Sequence, residues 1–374
     1  MNPSPKSDSA PSTTHPEASA EGTSIDDTVS LGVIIIGCGM IANFHARAIG
    51  DADGLHLVGV ASRRFEAAKT FASEHGCEAF ESIEAALADS RVAAVSICTP
   101  SGAHLDPALA AATAGKHVVV EKPLEITPER CDQIIQACEN AGVRLAVTFQ
   151  SRFHRSARLI KQALDDGRFG VVTMGDAYVK WFRSQDYYDS GAWRGTWKLD
   201  GGGALMNQAI HSVDLLLWLM GDVDEVSAMT ATLTHDRIEV EDTAVATVKF
   251  KCGALGVIEA TTTAFPGTLK RIEISGSHGS AILEEEDIRQ WEFVEPQDED
   301  EAIRRDMAGR TQTGGGASDP SAIGHAGHTA LFEEFAAAVR EGRASALDGH
   351  QGRRSVALIN AIYESARRGQ IVRL

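Results

Sequence analysis

Between residues 31 and 150, short apolar runs alternate with amphipathic stretches. The apolar runs are rich in β-branched residues, which is typical of strands buried on both faces of a parallel sheet. They cover residues 33–36, 55–61, 92–98, 117–120 and 145–149. The stretches between them, such as 65–75 and 107–114, are rich in alanine and amphipathic, as expected of helices packed on a sheet. This alternation predicts a doubly wound α/β domain with right-handed crossovers over residues 31–150.

The pattern changes beyond about residue 150, where strand-like segments follow one another with only turns between them. They cover residues 226–232, 243–250, 254–263 and 271–275. Cys252-Gly253 separates two of these segments and predicts a hairpin turn, and therefore an antiparallel sheet. Helices are predicted at 204–220, 329–340 and 351–368. Residues 151–374 are thus predicted to form a second domain of the α+β class.

Two segments show neither of these patterns. Residues 1–30 consist mainly of Ser, Pro, Thr, Ala and acidic residues, and they are predicted to be a disordered tail because they cannot bury enough apolar surface. Residues 295–326 combine an acidic run with a glycine-rich sequence, and a mobile loop is predicted there.

The composition narrows the range of partners. The chain has 374 residues, 43% hydrophobic and 23% charged, which suits a globular protein of two domains. Its formal net charge of -17 argues against binding to nucleic acid or to anionic membranes, so the expected partners are small molecules. No stretch reaches the ~20 apolar residues of a membrane span and no secretory signal is recognisable, so we expect a cytoplasmic protein. The six cysteines lie far apart without a Cys-x-x-Cys pair, and no metal site is predicted.

Residues 37–42, Gly-Cys-Gly-Met-Ile-Ala, fit the dinucleotide-binding pattern G-x-G-x-x-A. They follow a buried strand directly and open a helix. Gly37 allows the tight turn, Gly39 lets the backbone approach a pyrophosphate, and Ala42 permits close helix packing. A plain strand-to-helix turn is the alternative, but the surrounding strands and helices lie where the motif requires them. A Rossmann dinucleotide-binding domain is therefore predicted.

The end of the second strand bears on the choice between NAD and NADP. Ser62, Arg63 and Arg64 stand where NAD enzymes commonly place an acidic residue that holds the ribose hydroxyls. A hydroxyl and two guanidinium groups would bind a 2′-phosphate, so the sequence favours NADP over NAD. The alternative is that both arginines only solvate the following helix.

Two further segments carry candidate chemistry. Lys122 closes the strand at 117–120 on the ligand-binding edge of the sheet, although alone it could be a surface lysine. Three glycines at 201–203 lead into a helix on which Asn207 and His211 share one face. His211 could take a hydroxyl proton, with Asp214 orienting its imidazole, or it could be a core histidine.

The stretch 178–197 is the most aromatic part of the chain and suits the apolar face of a sugar. We assign Trp193 and Arg194 to the site and leave Trp181 and Trp197 to packing, although the whole stretch could be an aromatic cluster under a loop. Other candidates with structural alternatives are Arg152, which could line the cleft or bridge the domains, and His325 and His328 beside the glycine-rich loop.

Taken together, the segments 37–42, 98–104, 121–123 and 201–211 resemble the glucose-fructose oxidoreductase and inositol dehydrogenase family, often called Gfo/Idh/MocA. The resemblance implies a Rossmann domain followed by an α+β domain with a large, open, mostly antiparallel sheet. It further implies NAD or NADP as cofactor, sugars or cyclitols as substrates, and dimers or tetramers that associate through that sheet. The family's lysine corresponds to Lys122, its helix histidine to His211, its Thr-Pro turn to Thr99-Pro100, and its Trp-Arg pair to Trp193-Arg194.

These arguments give three sets of site residues. The cofactor set is Gly37, Gly39, Met40, Ile41, Ser62, Arg63, Arg64, Thr99, Pro100, His104, Glu121, Lys122, Trp193 and Arg194. The substrate set is Lys122, Arg152, Trp193, Asn207 and His211. The catalytic set is Lys122, Asn207 and His211.

One residue departs from the family pattern. Many inositol and sugar dehydrogenases of the family carry Asp where this chain has Asn207, whereas members resembling sugar-nucleotide 3-dehydrogenases also have Asn. Asn cannot take a proton, so the hypothesis assigns proton removal from a ring hydroxyl to His211 and stabilisation of the oxyanion to Lys122.

Several substrates and two other functions stay open at this stage. A dehydrogenase could act on a free sugar or cyclitol, on an anhydrosugar or dicarbonyl sugar, or on a nucleotide sugar whose diphosphate binds arginines. The arginines available are Arg152, Arg155, Arg183 and Arg194. The other functions are a glycoside-cleaving enzyme with a retained NAD and a non-catalytic sensor of NADP and a sugar.

Overall fold

The computed structural model describes Met1 and residues 30–311, 314–319 and 324–374. The predicted tail at 1–30 therefore lies outside the described residues, apart from its first and last positions. In the described part of the chain no helix is both long and apolar enough to cross a membrane. All six cysteines are free thiols.

The first sheet is parallel and has the predicted doubly wound arrangement, with strand order β3-β2-β1-β4-β5-β6. Its strands are β1 (Leu31–Ile36), β2 (Leu55–Ala61), β3 (Glu78–Phe80), β4 (Ala94–Ile97), β5 (His117–Val120) and β6 (Leu145–Val147). Its helices are α1 (Met40–Asp51), α2 (Phe65–His75), α3 (Ile83–Ala88), α4 (Leu105–Thr113) and α5 (Pro128–Ala141). Every residue of β1 is buried, because helices cover both faces of the sheet.

The second sheet is mixed and mostly antiparallel, with strand order β13-β12-β11-β7-β10-β9-β8-β14. Its strands are β7 (Val172–Lys180), β8 (Val223–Ala231), β9 (Thr243–Phe250), β10 (Leu255–Thr261), β11 (Arg271–Gly276), β12 (Gly279–Glu284), β13 (Asp287–Phe293) and β14 (Val372–Arg373). Only β7 and β10 pair in parallel among these described strands. Gly253 turns between β9 and β10 with φ +94°, which confirms the predicted hairpin.

The remaining helices are α6 (Arg155–Asp165), α7 (Gln185–Asp189), α8 (Ile210–Met220), α9 (Asp300–Asp306), α10 (Ala326–Arg340) and α11 (Gly349–Arg368). Helices α8 and α11 pack on one face of the second sheet. In β9 the residues Ala244, Ala246 and Val248 are buried, while the residues between them face outward. This two-residue period is that of a sheet covered on one side.

The C-terminal helices also pack against the first sheet. Helix α10 contacts α1, and α11 contacts α5 and β6. Polar contacts support this packing, with His325 Nε2 2.8 Å from Asp51 and Arg353 Nε 2.5 Å from Asp132. The C-terminal helices α10 and α11 therefore pack on the domain that contains the first sheet.

Two predictions about elements need correction. The mobile loop predicted at 295–326 contains helix α9, whose Asp300 is buried and accepts hydrogen bonds from Arg168 at 2.7 and 2.8 Å and from Trp291 at 2.7 Å. Residues 312–313 and 320–323 of that segment lie outside the described residues. The helix predicted from residue 204 begins with a π-helical turn, Ala204–Ala209, before α8 continues it.

Candidate active site

A cavity of about 820 Å³ lies between the carboxyl edge of the first sheet and the second sheet. It brings together nearly all of the residues singled out from the sequence. Those on its wall are Gly37, Gly39, Met40, Ile41, Ser62, Arg63, Arg64, Thr99, Pro100, Glu121, Lys122, Trp193, Arg194, Asn207 and His211. The carboxyl ends of parallel strands meet at one edge, so residues far apart in sequence converge here.

The glycine-rich turn fits a dinucleotide. Gly37 has φ +101°, and a Cβ there would lie 2.7 Å from the carbonyl oxygen of Cys98. A Cβ on Gly39 would meet nothing within 4 Å, so the space above this residue is open. Helix α1 begins at Met40 with no side-chain cap on its N-terminus. Its free backbone N–H groups can therefore bind a phosphate.

The end of β2 forms the part of the wall that would meet the adenosine ribose. Ser62, Arg63 and Arg64 all line the cavity, and both arginine side chains are exposed. Within the described residues, neither arginine forms an ion pair with a carboxylate. Both guanidinium groups can therefore bind an anion.

Lys122 lies where the two sheets meet. It follows β5 and precedes a cis peptide bond to Pro123, and its Nζ donates a hydrogen bond to the carbonyl oxygen of Asn207 at 2.8 Å. Burial lowers the pKa of Lys122, whereas the charges of Glu121 and Asp200 oppose that effect. The amine is thus held beside the helix that carries the other two catalytic candidates.

Behind Lys122 is a buried ion pair. Glu121 Oε1 is 2.9 Å from His45 Nε2, and His45 Nδ1 is 2.7 Å from Ser96 Oγ. Burial alone would lower the pKa of His45, but its contacts with Cys98 and Glu121 raise it. The raised pKa favours the imidazolium form of His45, which would donate from both ring nitrogens. The contact between His45 and Glu121 therefore connects helix α1 to the segment that contains Lys122.

The same cluster is the set of side chains that could hold a metal. His45, Glu121 and His328 each offer a ligand atom, and these atoms lie within 4.8 Å of one another. In its imidazolium form, His45 has no lone pair for a cation. The geometry therefore favours an ion pair. His328 lines the cavity, and both of its ring nitrogens are buried without a hydrogen-bond partner, with Nε2 4.0 Å from Oε1 of Glu121.

Glu241 organises the start of the helix that carries Asn207 and His211. Its carboxylate accepts hydrogen bonds from the backbone N–H groups of Gly203 at 3.0 Å and Leu205 at 2.8 Å, and from the hydroxyl of Tyr363 at 2.9 Å. A Cβ on Gly203 would lie 1.9 Å from the carbonyl oxygen of Glu241. Glycine is therefore required for this close approach, and burial raises the pKa of Glu241 to about 7.

Asn207 is fixed by two polar neighbours. Its Nδ2 donates to Oδ1 of Asp200, and its Oδ1 accepts a hydrogen bond from Gln208 Nε2 at 2.8 Å. Asp200 is buried and also accepts the N–H of Gly195 at 2.8 Å. The amide of Asn207 is thus oriented by the protein before any substrate binds.

His211 lines the cavity as predicted, but its predicted partner does not contact it. Asp214 accepts hydrogen bonds from Arg152 Nε at 2.8 Å and Nη2 at 2.6 Å, so its predicted role in orienting His211 is wrong. His211 Nδ1 is buried without a partner, and the ring packs edge-on against Phe149 at 5.9 Å. Burial and the charge of Lys122 hold the pKa of His211 well below its usual value. Both effects favour the neutral imidazole, which has a lone pair on one ring nitrogen.

Two further site residues are corrected. Arg152 is buried in its ion pair with Asp214 and donates to Gln351 at 3.0 Å, so it lies outside the cavity wall and is not a substrate ligand. His104 also lies behind the wall, where its ring nitrogens are each 2.9 Å from a carbonyl oxygen, those of Pro123 and Thr99. It supports the wall and does not line it.

The aromatic stretch 178–197 contributes more to the site than predicted. Trp181 lines the cavity although packing alone was expected of it, whereas Trp197 packs edge-on against Tyr363 at 5.2 Å. Sequence reasoning also missed several residues of the wall and its support. They are Tyr187, Gln208 and Lys270 on the wall, and Asp200 behind it. Arg183, which the sequence offered only as a possible ligand of a diphosphate, also lines the cavity. The interleaved arginines and tyrosines of the stretch were the available signal.

Hydrogen bonds connect Arg183, Tyr187 and Gln208 to Asn207. Arg183 Nη2 donates to Gln208 Oε1 at 2.8 Å, and Gln208 Nε2 donates to the hydroxyl of Tyr187 at 2.9 Å. Arg194 Nη1 donates to the same hydroxyl at 2.5 Å, with its guanidinium 4.2 Å from the centre of that ring. The two arginines thereby place positive charge around the pocket beside Asn207.

A doubly wound sheet with an open glycine-rich turn, together with a lysine, an asparagine and a neutral histidine in the same cavity, defines a dinucleotide-dependent oxidoreductase. Residues 31–149 match the model of the GFO/IDH/MocA oxidoreductase family with its NAD-binding Rossmann fold, and residues 157–282 match its C-terminal domain. The chain belongs to this family, as the resemblance implied.

Named relatives of this chain are dehydrogenases. It is 32% identical to the myo-inositol 2-dehydrogenase of Thermotoga maritima over 66% of this chain and 72% of that protein. It is 30% identical to the levoglucosan dehydrogenase of Pseudarthrobacter phenanthrenivorans over 80% of this chain and 84% of that protein. Among solved structures, the WlbA dehydrogenase of Bordetella pertussis in complex with NADH and UDP-GlcNAcA has a TM-score of 0.83 and 36% identity, covering 94% of this chain and 99% of that one.

Proposed function

We propose that the protein is a nicotinamide-dependent dehydrogenase that oxidises a ring hydroxyl of a sugar bearing a negatively charged group. The observation that carries this proposal is the convergence of Lys122, Asn207 and His211 on the cavity that begins at the glycine-rich turn. A bound nicotinamide would accept the hydride from the sugar carbon. The reaction is reversible, so the same residues serve the reduction.

The three side chains have complementary roles in this proposal. The imidazole of His211 takes the hydroxyl proton, and its lowered pKa favours the neutral form that this step requires. Lys122 stabilises the negative charge that develops on the oxygen. Asn207 orients the hydroxyl through the free hydrogen and lone pair of its amide.

The charge of the pocket supports an anionic substrate. Arg183 and Arg194 line the cavity, and within the described residues neither pairs with a carboxylate. The solved structure at 36% identity contains UDP-GlcNAcA, which is therefore the first substrate to test. Neutral compounds such as myo-inositol and levoglucosan, named for other relatives, form the second candidate class.

The preferred cofactor in this proposal is NADP, with NAD as the alternative. The guanidinium groups of Arg63 and Arg64 support NADP, because they have no carboxylate partner in the described part of the chain and can bind a 2′-phosphate. The WlbA complex contains NADH, which supports the alternative.

The test is a turnover assay with each substrate and each nicotinamide, followed by the absorbance of the reduced cofactor. We expect UDP-GlcNAcA to drive reduction of the nicotinamide. We expect kcat to be lower by about a hundredfold or more in both Lys122→Ala and His211→Ala, which is about the contribution of one acid–base or electrostatic group. Retention of near-full turnover by His211→Ala would contradict its role as the base.

Two other outcomes would replace the proposal. Cleavage of a glycoside with no net change in a retained cofactor would indicate the hydrolytic function. Binding of a nicotinamide and a sugar without turnover in either direction would indicate a sensor.

A further inference from the structure

We propose that Asp200 is a positioning residue of the active site, which fixes the side chain of Asn207 and supplies, beside Lys122, the negative charge that the family's usual aspartate would carry. This inference rests on the proposed function. Asp200 lies in the turn before the three glycines and is 1% exposed. It does not line the cavity, so it acts through its neighbours.

The contacts of Asp200 show why a carboxylate is needed there. Oδ1 accepts the amide hydrogen of Asn207, and Oδ2 accepts the N–H of Gly195. The Asn207 amide can then point only one way, with its Oδ1 toward Gln208. A hydrogen bond to a charged acceptor holds a side chain more firmly than one between neutral groups.

The second role of Asp200 concerns Lys122. Burial lowers the pKa of this lysine, and the carboxylates of Glu121 and Asp200 counteract that effect. Glu121 is already paired with His45, whereas Asp200 forms no ion pair within 4.0 Å in the described structure. Loss of the charge at position 200 therefore leaves Lys122 less protonated.

Several charged or titratable groups surround the pair. Those acting on Lys122 are Glu121, Asp200, Arg183 and Arg194, and the charge of Lys122 in turn acts on His211. Those coupled to Asp200 are Arg194, Lys122, Tyr187, Tyr188 and Tyr363. The tyrosines have raised pKa values and stay neutral, and contacts with His45 lower the pKa of Glu121 against the effect of its burial. Burial raises the pKa of Asp200 to about 6, so we expect Asp200 to change charge at mildly acidic pH.

The test exchanges the two side chains. Asp200→Asn keeps the shape and removes the charge, and we expect kcat to fall at least about tenfold with unchanged affinity for the reduced nicotinamide. Asn207→Asp places two carboxylates in contact and should also lower kcat. The double variant D200N/N207D restores one carboxylate and one amide, and we expect it to recover to within about threefold of wild type. Asp53→Asn, an exposed aspartate, is the matched control.

A second measurement does not depend on turnover. The extent of Lys122 acetylation by acetic anhydride is followed against pH by peptide mass spectrometry, and its midpoint should move to lower pH in Asp200→Asn. A Lys122 midpoint that does not move, or a double variant no more active than Asp200→Asn, would overturn the proposal. If the wild type converts none of the substrates, the proposed function fails, while the acetylation midpoint still decides the role of Asp200.

Discussion

Arg63 and Arg64 are exposed at the end of β2 and have no carboxylate partner in the described part of the chain. We expect Arg63→Ala to weaken NADP(H) binding about tenfold and to change NAD(H) binding less than twofold, because a charge-assisted bond to the 2′-phosphate is lost. Titration by nicotinamide fluorescence measures both affinities. Lys69→Ala on α2, whose exposed lysine pairs with Glu66, is the control. Equal losses for the two cofactors would refute the NADP assignment.

Asp200 also gives the reaction a defined pH dependence. Burial raises its pKa to about 6, against the opposing effect of its hydrogen bonds with Asn207 and Gly195. Protonation below this pKa removes the negative charge beside Lys122, so we expect kcat to fall as the pH drops through about 6. The kcat profile of the wild type should show this acidic limb, and that of Asp200→Asn should be low and flat across the same range. An unchanged limb in the variant would assign it to another group.

At the scale of elements, Glu241 connects the segment before β9 to the helix that carries the catalytic candidates. Glu241→Ala removes the acceptor of two buried N–H groups and of the Tyr363 hydroxyl. We expect a loss of roughly 3 kcal/mol in the free energy of unfolding, since each buried donor left unpaired costs about 1 to 3 kcal/mol. Urea denaturation measures the change. Glu292→Ala, an exposed residue of β13, should alter stability by less than about 0.5 kcal/mol.

Some features of these elements could be predicted from the sequence, and others depend on contacts between elements that are distant in the sequence. Strand ends were predictable because buried runs stop abruptly, and Lys122 was found since it follows such a run. The ion pair of Arg152 with Asp214 was not predictable. Helix periodicity shows which face of a helix a residue occupies, but not which side chains of other elements pack against that face. Asp200 was missed for a similar reason, as it lies in a turn whose contacts are all set by tertiary packing. The short edge strand β3 has one buried residue and hence no pattern to detect.

At the scale of the whole molecule, one face of the second sheet carries no helix over β8, β9 and β10 among the residues that the structure describes. Met229 and Val245 are direct partners on neighbouring strands of this face and are 81% and 46% exposed. Leu255 on β10 is 54% exposed. Apolar residues grouped on an exposed sheet face are typical of a protein interface. They support the expectation of a dimer or tetramer associating through this sheet.

A charge placed in the centre of this face should therefore separate the subunits. Val245→Glu puts a carboxylate opposite Met229 and beside Glu259 on β10, and burying it against a second copy would require desolvating an unpaired charge. We expect light scattering after gel filtration to give a dimer or tetramer for the wild type and a monomer for the variant. Val294→Glu is the control, because this valine is 70% exposed but lies just beyond β13, at the opposite edge of the sheet. A monomeric wild type, or an oligomer that survives Val245→Glu, would mean that this face is not the interface.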